Sequence, residues 1–254
     1  MKKKNRTIQT IQTEVTECIR CPRLIQYCRD VAKTKRRAYL DEVYWGKPVP
    51  GWGDPLARLL MIGLAPAAHG GNRTGRVFTG DASGDFLFRA LWKAGFANQP
   101  TSRNREDGLA LQDAYITAVV HCAPPDNKPL PKEIENCREY LRQELTALIE
   151  VKAVLVFGKI ALDGYRTALY ETTGVLLPAG RIPFIHGAMY DLEREFGRPD
   201  LIQRLPRLFI SYHPSRQNTQ TGRLTEAMFD SVFEKIRNYL NGQNRGTAAA
   251  DDHL

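Results

Sequence analysis

No stretch of this chain is fit to cross a bilayer. No window approaches the roughly 18 consecutive apolar residues that a membrane helix needs. The opening MKKKNRTIQT also has no apolar core of the kind a signal peptide carries. A cytoplasmic protein with no membrane partner is expected, nucleoid-associated if it binds DNA. No internal repeat and no composition break marks a linker, so residues 1–254 are read as one domain with polar, disordered tails at 1–12 and 244–254. Cysteine is scarce, at five residues, and in a reducing compartment those five are not read as disulfides, so their spacing must decide between metal ligands and buried thiols.

With 43% hydrophobic and 25% charged residues the chain reads as soluble and globular. Lys plus Arg exceed Asp plus Glu by 36 to 28, giving +8. That favours a polyanionic partner through counterion release, although solvated surface and the basic tail Lys2, Lys3, Lys4 would produce the same count. Short apolar runs at Leu59–Ile62, Ala114–His121, Ala153–Phe157 and Arg207–Tyr212 alternate with helical periodicities, and a weaker hairpin-like segment lies at Ile182–Ile185. Strands separated by helices of a dozen or more residues mean βαβ units, hence an α/β fold: a three-layer α/β/α sandwich around a mostly parallel sheet. Helical patterns are read at Thr13–Ala32, Ser83–Gly95 with Ser83 as N-cap, from Pro131 to Glu150, and at Thr225–Leu240.

Three strand ends send loops to one edge of such a sheet, where open α/β folds bind ligands. The first, GLAPAAHGGNRTGRVFTGD, is long and glycine-rich, and loops of that length are uncommon unless they function. Its glycines match neither G-x-G-x-x-G nor a P-loop, so nucleotide phosphate is not indicated. Asp81 stands just ahead of a helix, where a carboxylate either caps orphan N–H groups or faces the crevice. Phe78 is a candidate stacking plate or a packing residue. His213 follows a strand directly and opens HPSRQN, whose Ser215, Arg216, Gln217 and Asn218 are side chains of the kinds that contact DNA. Cys18-x2-Cys21 near the N-terminus, with Cys122 and Cys137 bracketing a proline-rich loop, offers four thiolates suited to zinc or to a [4Fe-4S] cluster. Cys28 has no partner and is read as core.

Gly63–Asp81, His213–Asn218 and the four-cysteine frame together resemble the iron–sulfur uracil-DNA glycosylases, specifically the fifth, or B-type, family of that superfamily. The resemblance implies a central four-stranded sheet, a [4Fe-4S] cluster on Cys18, Cys21, Cys122 and Cys137, and a monomer. Its substrate would be DNA containing uracil or another deaminated base, extruded from the duplex so that the glycosidic bond can be hydrolysed. The residues this implies are Asp81 for the sugar cation and the attacking water, and His213 as donor to the base carbonyl. Phe78 would stack on the base, Asn127 would bond its edge or hold water, and Gly63, Leu64 and Ala65 would line the pocket.

Two departures follow from that comparison. Relatives with a polar or acidic residue in the first motif are matched here by Leu64, Ala65 and Ala67, none of which ionises. Ala118 stands where the other iron–sulfur branch has a uracil-reading asparagine, so a broader range is expected: uracil, hypoxanthine, and oxidised or alkylated pyrimidines. Rival readings are a non-catalytic, metal-stapled nucleic-acid-binding module and a small-molecule hydrolase built on Asp81 and His213.

Overall fold

The computed structural model describes residues 6–201 and 204–248. Six strands are present among them: β1 Trp52–Gly53, β2 Leu59–Gly63, β3 Ala114–Ala118, β4 Ala153–Phe157, β5 Met189–Asp191 and β6 Arg207–Ser211. They form one sheet in the order β1-β3-β2-β4-β6-β5. The inner four are parallel, with Leu59 opposite Ala114 and Ala153, and Ala153 opposite Arg207. These are the four apolar runs legible in the sequence, and almost all of their residues are buried, as strands covered on both faces must be. The expected four-stranded sheet is thus widened by two short antiparallel edges, β1 on β3 and β5 on β6. The hairpin expected at Ile182–Ile185 is not a strand, and the pairing falls instead at Met189–Asp191. Pro183 has no N–H to give a ladder.

Successive strand side chains point to opposite faces, and the two cores divide accordingly. Leu60, Ile62, Tyr115, Val154, Val156, Leu208 and Ile210 pack with α1 Ile8–Thr16, α2 Pro22–Thr34, α5 Pro131–Ala147 and α6 Lys159–Thr173. Leu59, Met61, Ile116, Leu155, Phe157 and Phe209 pack on the other side with α4 Ala82–Lys93 and α9 Glu226–Ala248. The result is the α/β/α sandwich. Short helices α3 Gly71–Thr74, α7 Leu192–Phe196 and α8 Arg216–Gln220 lie in the connections.

Several boundaries differ from the sequence reading for identifiable reasons. The pattern over Thr13–Ala32 is two helices, because Pro22 takes the first position of α2, where its missing N–H costs nothing. α1 begins at Ile8, capped by Thr7, and buries Ile8 and Ile11, so residues 8–12 are helical rather than the disordered tail expected over 1–12. At the other end α9 runs to Ala248, into the stretch 244–254 expected to be disordered. Residues 1–5 and 249–254 lie outside the described residues. The cap of α4 is Asp81 instead of Ser83: its carboxylate accepts the Gly84 N–H at 2.9 Å.

Candidate active site

Because the inner strands are parallel, their carboxyl ends open on one edge. The loop leaving β2 is held from inside by two buried arginines. Arg73 donates to the carbonyls of His69 (2.8 Å) and Gly80 (2.6 Å), pairs with Glu42, and lies 3.8 Å above the Tyr39 ring. Arg76 bonds Thr79 Oγ1 at 2.9 Å and Asp107 at 2.7 Å, with both partners of that ion pair buried. Tyr44 adds a bond from its hydroxyl to His69 Nδ1 at 3.0 Å. A long loop that carries no apolar periodicity is thereby tied down by polar bonds made from inside it.

Phe78 sits in the left-handed region at φ +53, a conformation that costs a bulky residue on the order of 1–3 kcal/mol and persists only where its surroundings hold it. What holds it is aromatic packing. Its ring stacks on His213 (centroids 5.5 Å, 27°) and meets Phe157 edge-on at 5.5 Å. On another side it closes on Gly63, where a Cβ would stand 3.0 Å from the ring, so Gly63 is glycine for close approach. The Gly63 and Leu64 carbonyls accept from Val119 (3.0 Å) and Val120 (2.9 Å). That prolongs the β2–β3 ladder past Ala118 and explains why AYITAVVH reads as one long strand. Leu64 and Ala65 are half-buried beside it.

Asp81 does both things the sequence allowed. One oxygen caps α4, the other lies against Gly70, where a Cβ would collide with it. The same residue lines an open cleft of about 930 Å³ together with Arg73, Asp85, Arg89, Arg103 and Arg216. Burial pushes its carboxyl above the usual range, against the lowering effect of the Gly84 and Ser83 N–H groups. His213 is held through its backbone: its carbonyl accepts from Asn218 Nδ2 at 2.8 Å, and the Tyr212 N–H ahead of it donates to His186 Nδ1 at 3.1 Å. Burial lowers the His213 imidazole to about 4, leaving it neutral at physiological pH.

The remaining sequence-predicted residues divide. Arg216 and Gln217 are exposed on α8, and Arg216 reaches the Asp81 cleft. Ser215 is the N-cap residue of α8. Asn218, half-buried, donates one N–H of its amide to the His213 carbonyl at 2.8 Å. Asn127 is exposed on a left-handed turn (φ +55), and no contact joins it to Phe78 or His213. Cys18, Cys21, Cys122 and Cys137 do converge: all four line one small cavity with Arg20, His121, Asn136 and Tyr140. Cys137 Sγ accepts the His121 N–H at 3.3 Å, and burial pushes its thiol up to about 12. Among the described residues no group of three or more His, Cys, Asp or Glu side chains is drawn close enough to hold a metal ion. Cys28 is buried core, as expected.

Comparison with known proteins follows the same lines. The model of the uracil DNA glycosylase superfamily matches residues 50–237. The chain belongs to that superfamily. It is 49% identical over 220 residues to the type-5 uracil-DNA glycosylase of Thermus thermophilus, covering 87% of this chain and 92% of that one. It is 45% identical to the type-5 enzyme of Mycobacterium leprae, over 87% of this chain and 90% of the relative. A type-4 uracil-DNA glycosylase of Archaeoglobus fulgidus is more distant, 28% identical over 74% of the chain. These identities put the chain on the type-5 branch. Within the superfamily motif, the residues that sequence reasoning passed over are Arg73 and Arg76. Their only signal was their presence inside GGNRTGR, since nothing in the pattern says that these arginines turn inward.

Proposed function

We infer that this protein is a monofunctional uracil-DNA glycosylase that hydrolyses the N-glycosidic bond of uracil in DNA and so initiates base excision repair. One observation carries the reading: Phe78, three residues from Asp81, stacks on His213, joining the two motif loops in one site. As the bond to the base lengthens, positive charge gathers on the sugar and negative charge on the base. The Asp81 carboxylate faces the first charge and orients the attacking water, and a carboxyl raised by burial is better matched to that proton transfer. A neutral His213 N–H donates to the base carbonyl as charge appears there. Water supplies the hydroxyl to the sugar and the base leaves with the proton. Phe78 offers a face to the base, with Gly63, Leu64 and Ala65 as the pocket floor and Asn127 at the base edge.

Ala118 is the register partner of Gly63 and is buried, so no amide reads the base at that point. A site without such a reader discriminates less, and we extend the substrate range to hypoxanthine and other damaged bases. Cys18, Cys21, Cys122 and Cys137 would hold the [4Fe-4S] cluster. The donor set, four soft thiols on a single cavity, supports this and suits zinc equally. Its part is architectural, fixing α1 and α2 against the Cys122 loop. None of the described helices is long and apolar enough to cross a membrane, and we place the protein at the nucleoid, as a monomer.

Incubating a single-uracil duplex with the protein and cleaving abasic sites with alkali tests the activity. Asp81→Asn should suppress product with an unchanged unfolding midpoint, His213→Ala should suppress it while lowering the midpoint because the imidazole supports the Phe78 ring, and unaltered rates for both would overturn the role assignments. A hypoxanthine duplex left intact would restrict the range to uracil. For the cluster, iron and labile sulfide should be lost in Cys18→Ser along with thermal stability, whereas a stable, active, iron-free protein would refute it.

A further inference from the structure

Part of the wall of the Asp81 cleft is made by the segment that follows α2. Tyr39 and Glu42 line the cleft, and between and beyond them two apolar side chains stand in solvent: Leu40 is 55% exposed and Val43 is 93% exposed. The segment is not loose. Lys35 Nζ bonds the Leu40 carbonyl at 2.8 Å, the Trp45 and Gly46 N–H groups donate to the carbonyls of Arg73 (2.8 Å) and Asn72 (3.0 Å), and Glu42 and Tyr39 both engage Arg73. Two uncovered hydrophobic residues are therefore presented on a backbone bolted to the loop that carries Asp81. Exposed Lys33, Arg36 and Arg37 precede them, and Arg89, Arg103 and Arg216 line the cleft they overlook.

We propose that Leu40 and Val43 form a wedge that enters the base stack of duplex DNA beside the extruded nucleotide. Two side chains are far too little for a protein interface, which needs about 800 Å² from each partner. Apolar residues flanked by basic ones suit DNA, where wedges of this type unstack base steps while cations take the phosphates. Exposed Asp41 and the paired Glu42 keep the tip itself from binding phosphate. The proposal rests on the glycosylase reading and adds the residues that open the duplex.

The test compares Leu40→Ser/Val43→Ser with the unsubstituted protein on two substrates: uracil in a fully paired duplex, and uracil in a bubble of unpaired bases. Because a bubble needs no unstacking, the variant should lose at least about tenfold on the duplex and stay within about twofold on the bubble. Both side chains are exposed, so the unfolding midpoint should not move. Leu40→Met/Val43→Ile should restore duplex activity. Equal losses on the two substrates, or no loss on either, would overturn the wedge. If the unsubstituted protein released base from neither substrate, the glycosylase reading would fall and the wedge with it.

Discussion

Glu144 is a carboxylic acid with no route to solvent. It projects from α5 onto β3, where Thr117 Oγ1 meets it at 2.7 Å and the Tyr115 hydroxyl at 3.3 Å. Gln12 reaches the same cluster through Tyr115. Burial raises its carboxyl from 4.5 to about 8, so the folded protein holds the neutral acid while the unfolded chain ionises it near 4.5. The proton is bound more tightly when folded. The stabilisation this gives is complete below pH 4.5, declines by about 1.4 kcal/mol per pH unit above that, and is gone once pH passes about 8. Across the window the difference amounts to about 5 kcal/mol, a large fraction of a domain's usual stability. Glu144→Gln keeps the shape and both hydrogen-bonding ends without the titration. Urea unfolding at intervals from pH 5 to 8 should show the stability difference between the unsubstituted protein and Glu144→Gln shifting steadily toward the variant as pH rises. Two curves running parallel across that window would show that the buried carboxyl does not titrate as argued.

Further outcomes follow from other parts of the site. Gly70→Ala places a methyl against Asp81 Oδ2. Displacing that carboxylate by an ångström should cost about a hundredfold in uracil release, measured at saturating duplex, with full activity refuting the close approach. Arg76→Ala leaves the buried Asp107 carboxylate without its cation and should lower unfolding free energy by about 3–5 kcal/mol, read by denaturant titration. His213, depressed to about 4 by burial, stays neutral on acidification to near that value. A lost acid limb in Asp81→Asn above pH 5 would therefore assign that limb to the carboxylate, and a limb retained there would contradict the neutral imidazole.

The parallel core was legible because its four strands are nearly pure apolar runs, and that patterning follows directly from coverage on both faces. The edge strands were not: Trp52–Gly53 and Met189–Asp191 carry no alternation, and only tertiary pairing makes them strands. Among the site residues, Asp81, Phe78 and His213 come through motif resemblance; the structure stacks Phe78 on His213 and sets Asp81 three residues on, at the start of α4. Asn218 is a DNA-contact candidate by its side-chain type alone, and that type does not announce the bond its amide gives to the His213 carbonyl. Arg73 and Arg76 were missed because arginines in a polar loop read as solvated, and nothing local announces the carbonyls and the carboxylate that receive them.

A single aspartate opens α4 and also borders the cleft, so helix initiation and the hydrolysis proposed for Asp81 fall on one side chain. Asparagine caps about as well as aspartate, while alanine forfeits about 1 kcal/mol. Selection for a sturdier fold at this position is therefore content with aspartate, asparagine or serine, of which only aspartate carries charge. An inactive form of this protein needs no structural compensation elsewhere, and a lineage that abandoned catalysis for mere attachment to damaged DNA could do so in one substitution without loosening the molecule.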